Sequence, residues 1–172
     1  MATVVTITYA ADEAITVTTW HSLAADDWAT SSMFDNTSNN YVDVLVGGGM
    51  SIAGTSWAAG DTWEVYVSAR YDTDTVSYTG GIGTTFDASD SILTEDTEFI
   101  PTNLRLLDVG NVEATAPTTD QVYNWGPLSV AAAFGGILPQ KFILVLHNNS
   151  AAGAMDSDEM VCNAVGITYT ST

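Results

Sequence analysis

The chain has 172 residues, with 21 acidic side chains against 3 basic ones and a formal net charge of −18. That length suits one domain, which buries about 70% of its unfolded surface and needs no metal or disulfide staple. With only Arg70, Arg105 and Lys141 as cations, the composition argues against a nucleic-acid partner and against attraction to an anionic membrane. A hydrophobic fraction of 46% excludes a disordered chain.

Period-two alternation dominates the sequence. Thr3–Tyr9 places Val5, Ile7 and Tyr9 on one face. Ile15–Trp20 sets Ile15 and Val17 against Thr16 and Thr18, so a second strand is expected there. Ser22–Ser32 could hold a helical turn, because Asp26 and Asp27 would favour a helix N-terminus. Tyr41–Val46 alternates around Asp43 and runs into Gly47-Gly48-Gly49, read as a bulge or bend. Trp63–Tyr71 is the clearest strand, with Trp63, Val65, Val67, Ala69 and Tyr71 opposite Glu64, Tyr66, Ser68 and Arg70. The stretch Tyr71–Leu93 is a long polar loop with three glycines and is expected to make contacts. Leu104–Val109, Val122–Val130, Phe142–His147 and Met160–Thr170 complete about eight strands. Val130–Gly135 is a second short helix candidate, stopped by Gly135-Gly136. No window carries a sustained helical stripe. The expected fold is all-β: one domain spanning 1–172, a two-sheet β-sandwich arranged as a jelly roll. An immunoglobulin-like sandwich is the alternative, although its Cys–Trp–Cys pattern is absent.

Chemistry-bearing residues are sparse. A nucleophilic triad needs a histidine base, and the chain offers only His21 and His147, neither near a G-x-S-x-G elbow. Both are read as strand-end hydrogen-bonding groups. The lone Cys162 cannot form an internal disulfide and is read as a buried thiol. Zinc has too few clustered ligands. Asp72-x-Asp74, Asp87-x-x-Asp90 and Asp156-x-Asp158-Glu159 are oxygen-rich, but none has the spacing of a twelve-residue calcium loop. They are read as solvated acidic loops, so no metal and no cofactor is expected. Met1–Tyr9 lacks the basic and apolar regions of a signal peptide. With a lone cysteine, that fits synthesis in a reducing cytoplasm.

Trp63 and Trp125 sit within strand patterns and are expected in the core. Trp28, Met33, Phe34 and Trp57 lie in polar surroundings, and Phe134 sits beside a glycine turn. These five are the candidate protein-contact residues, because apolar side chains outside strand patterns can form exposed patches. Their competing role is to cover the open ends of the sandwich.

Several stretches together are distinctive. They are Asp35-Asn36-Thr37, Tyr41–Gly48, Trp63–Tyr66, Gln121-Val122-Tyr123, Gly126–Val130, Phe134–Lys141, His147-Asn148 and Gly166–Thr170. This set resembles a group of tailed-bacteriophage structural proteins encoded among head and tail genes. The resemblance spans about Trp28 to Thr170. It implies a virion component with a β-sandwich fold; separately, the lack of a catalytic constellation leads us to expect no enzyme. The expected role is capsid decoration (cement) on the exterior of the major capsid protein lattice, as a homo-oligomer. A trimer is expected, since symmetric oligomers fill local three-fold sites. Met1–Leu23 and Tyr71–Leu93 depart from the family pattern and are expected to carry role-specific contacts. A tail, neck or fibre-associated protein, and a carbohydrate-binding module, remain as alternatives.

Overall fold

A computed structural model describes residues 4–54, 56–70, 78–79, 85–86, 92–93, 104–113 and 117–171. In chain order the strands are β1 (Val5–Ala14), β2 (Trp28–Thr30), β3 (Phe34–Asp35), β4 (Asp43–Ile52), β5 (Thr62–Arg70) and β6 (Tyr78–Thr79). They continue with β7 (Thr85–Phe86), β8 (Ile92–Leu93), β9 (Leu104–Asn111), β10 (Gln121–Ser129), β11 (Lys141–Asn149) and β12 (Val161–Ser171). A 3₁₀ turn covers Thr18–Trp20, and one short helix, α1, covers Val130–Ala133.

The strands form a two-sheet β-sandwich, apart from β6 and β7, which pair with each other. The first sheet runs β1-β12-β4-β10, and the second β8-β2-β11-β5-β9. β3 also pairs with β11, at the Lys141 end. All pairings of long strands are antiparallel, and four of them nest. Ser68 pairs with Leu104, Ile52 with Gln121, Thr30 with Val145 and Ala14 with Asn163. Each of these pairs encloses the preceding one in sequence, as in a long hairpin rolled across two layers.

Alternation explains which side of each strand is buried. Val44, Val46, Met50 and Ile52 of the first sheet meet Trp63, Val65, Val67, Phe142, Leu144 and Leu146 of the second. Trp20, Trp57 and Trp125 close the same core. β11 is central and buried on both faces. Its outward Ile143 and Val145 join Leu104 in a second small cluster, with Trp28, Met33 and Tyr66 packed against it. Burying such side chains stabilises the fold by roughly 1.5–3 kcal/mol each. Gly110 is required by this packing, because a Cβ there would lie 1.9 Å from the Trp63 ring.

Several expectations are corrected. Ile15–Trp20 is no strand: Ile15 and Val17 are buried as the alternation implied, but the backbone turns into the 3₁₀ segment at Thr18. Ser22–Ser32 is no helix. Asp26 adopts a positive φ of 62° and its N–H donates to the Asn148 carbonyl, which leads the chain into β2 against β11. Gly47-Gly48-Gly49 is no bulge. β4 keeps unbroken register with β12 through all three glycines, and the irregularity lies in β10, between Trp125 and Leu128. Val130–Ala133 is helical as expected. The Ser129 side chain caps it by accepting from the Ala132 N–H, and the Asp43 carboxylate accepts from Ser129 Oγ at 2.7 Å and the Ala131 N–H at 2.9 Å. Most of Tyr71–Leu93, with its Asp72/Asp74 and Asp87/Asp90 clusters, lies outside the described residues.

Candidate interaction surface

The outward face of the first sheet is unusual for a solvated surface. Buried Val44 and Val46 alternate with outward Leu45 and Gly47 on β4. With Gly47 and Gly49 lacking side chains, the middle of the sheet is a trough. Val122 and Asn124 of β10 form one wall, and Val161, Asn163 and Val165 of β12 form the other. The resulting groove has a volume of about 770 Å³, and Pro127 and Glu159 also line it. Val122 is 49% exposed and Val161 52%. The glycine floor is held by close approach: a Cβ on Gly47 would lie 2.9 Å from the Trp125 carbonyl oxygen, and one on Gly49 3.0 Å from that of Glu159.

A second apolar area occupies the far corner of the same sheet. β12 pairs with β4 only from Val161 to Ile167. Its remaining residues pair with β1 alone, Thr8 opposite Thr168 and Val5 opposite Ser171. The two strands therefore project as a ribbon beyond the sandwich. β1 is exposed on both faces, apart from Ala10, which is half-buried. Val5, Ile7, Tyr9 and Tyr169 are each more than half exposed, and Ile7 lies opposite Tyr169. The corner borders the groove at Val165, which lies opposite Asp12 of β1 and Leu45 of β4.

The second sheet carries a polar cluster around His147. His147 Nδ1 lies 3.1 Å from Glu64 Oε2, and its Nε2 lies 3.5 Å from Asp26 Oδ1. The Tyr66 hydroxyl donates to Glu64, and Asn149 Nδ2 donates to both Thr62 and Glu64. Trp28 stacks on the His147 ring, with centroids 3.9 Å apart. Burial by itself would raise the Glu64 carboxyl, but donation from Tyr66, His147 and Asn149 outweighs it and holds the group below its ordinary value. Burial and the neighbouring Glu64 push the Tyr66 phenol up. The histidine is thus clamped between a carboxylate and an indole, as a structural group would be. Cys162 is buried beneath the first sheet, which raises its thiol to about 12 and leaves it unreactive near neutral pH.

The five sequence-predicted contact residues do not form one patch. Trp57 is 2% exposed: its ring lies over Gly153, and its indole N–H donates to the Ala154 carbonyl at 2.8 Å. Phe34 is 4% exposed and stacks on Phe142. Both are core residues, which corrects the expectation that they anchor a partner. Trp28 and Met33 are half-buried against the outer cluster of the second sheet, and Phe134 is half-buried against the main core. Trp63 and Trp125 are buried, as their strand patterns indicated. Sequence reasoning missed Val122, Val161 and Tyr169 as surface groups, because a strand residue reads the same whether its face is covered or bare. The glycine triplet flanked by valine-rich strands was the available signal. No group of three or more metal-ligating side chains occurs among the described residues. The chain matches no protein-family model and no curated protein.

Proposed function

We propose that the protein is a virion structural protein of a tailed phage that acts by binding, as a decoration protein on the outside of the capsid lattice. The observation that carries this reading is the groove on the first sheet. It joins half-exposed valines to a backbone floor, a shape suited to receiving a protein segment and not to performing a reaction. The nested strand order supports reading the sandwich as a jelly roll. The charge of −18 suits an exterior site, where the protein meets solvent instead of packaged DNA. The partner is the major capsid protein, and contact is driven by apolar burial at about 25 cal/mol per Å².

The reading is tested by adding purified protein to undecorated capsids and counting bound copies. Val122→Asp and Val161→Asp place carboxylates on the groove walls without touching the core, so both should fold normally and load poorly. Wild-type protein found only on tails, or no binding to capsids at all, would overturn the reading.

A further inference from the structure

Among the described residues, the ribbon formed by β1 and the end of β12 has no third strand. A two-stranded ribbon is marginal in water, and stability comes with three or more strands sharing an apolar face. From Val5 to Tyr9, before its register shift, the outer edge of β1 also lacks the usual safeguards against pairing. Natural edges are blunted by proline, lysine, inward charge or bulges. β10, the opposite edge of the sheet, has Pro127 and an irregular register. β9, an edge of the second sheet, has Arg105 and its own irregularity. β1 keeps regular pairing with β12 from Val5 to Tyr9, and that stretch has neither proline nor charge.

We infer that β1 pairs with β1 of a second copy of this chain, antiparallel and centred on Ile7. The sequence Val5-Thr6-Ile7-Thr8-Tyr9 is self-complementary in that register. Ile7 faces Ile7, Val5 faces Tyr9 and Thr6 faces Thr8. Every apolar residue falls on one face and every threonine on the other. Aromatic with β-branched and threonine with threonine are favourable cross-strand pairs. A two-fold axis through Ile7 makes the contact isologous and closed, so no fibre results. Charge favours the same register. In a chain of −18, the first acids of β1 are Asp12 and Glu13, and they lie past the register shift that follows Tyr9. The two first sheets then join into one, and Tyr169 of each copy widens the apolar face beside Ile7. This assembly is two-fold, unlike the trimer expected from three-fold capsid sites. It stands independently of the groove and of the capsid reading.

The test is the molar mass in solution by light scattering, in about 1 M NaCl, where the Debye length is about 3 Å and repulsion between acidic copies is screened. Wild type should be a dimer and Ile7→Lys a monomer with an unchanged circular dichroism spectrum. Ile7→Cys supplies a second readout. Directly opposed residues of an antiparallel pair have Cα atoms about 4.5–5.5 Å apart, within disulfide range. That variant should cross-link under mild oxidation, whereas Val161→Cys, which lies in the groove, should not. A monomeric or trimeric wild type, a dimeric Ile7→Lys, or equal cross-linking of the two cysteine variants would overturn the proposal.

Discussion

Asn148 shows how much one side chain can hold. It is fully buried near the end of β11, and its Nδ2 lies within hydrogen-bonding distance of the carbonyls of Leu23, Ala24 and Gly153. It thereby ties a strand to two separate loops. Asn148→Ala removes all three contacts at once, at about 1–3 kcal/mol in lost hydrogen bonds. For a domain of this size that is a fall in Tm of about 3–9 °C, readable by calorimetry. Glu64 gives a pH-dependent counterpart. Its folded-state value lies below the unfolded one, so its contribution is present above the ordinary carboxyl range. It is lost as the pH falls through about 4.3 and below. Glu64→Gln should therefore flatten the decline of Tm on acidification relative to wild type. Parallel Tm–pH curves would show that the carboxylate does not couple to folding.

At the scale of elements, legibility followed burial. β5, β10, β11 and β12 were visible because one or both of their faces lie in the core, and the alternation records it. The exposure of β1 was not visible. Val5, Ile7 and Tyr9 alternate with threonine as a core strand would, and only the three-dimensional register shows β12 outrunning β4. Trp57 and Phe34 misled for the opposite reason. Their neighbours are polar, yet the loop turns the Trp57 indole under Gly153, a long-range contact with no local trace. The helix expected over Ser22–Ser32 yielded to a tertiary hydrogen bond between Asp26 and Asn148. The pairing of β5 with β9 offers a direct test. Gly110→Ala sets a methyl group against the Trp63 ring, and overpacking of this kind costs about 1–3 kcal/mol or more. The indole must move, so the near-ultraviolet circular dichroism of the variant should change along with its Tm. An unaltered spectrum at wild-type stability would count against the packing described.

For the whole molecule, the dominant long-range force is self-repulsion. Only three Lys and Arg side chains face 21 Asp and Glu, and among the described residues Lys141 meets Asp35 at 3.4 Å. Such a partly exposed pair contributes little. Added salt shortens the Debye length from about 30 Å at 0.01 M to about 3 Å at 1 M, and so relieves the compact state more than the expanded one. Tm should rise with NaCl in thermal melts, for wild type and for the monomeric Ile7→Lys alike. A steady fall would contradict the charge argument.

The nested pairing also sets an order of assembly in time. Of the four nested closures, Ser68 with Leu104 spans the fewest residues, and Ala14 with Asn163 spans nearly the whole chain. Loop-closure entropy grows with the length enclosed, so closure cost favours an order that runs from β5–β9 outward, with β1 docking last. A topology made of distant pairings places folding in the millisecond-to-second range. Throughout that interval the flank of β12 stands open, and the nascent subunit is most exposed to trading its first strand with a neighbour.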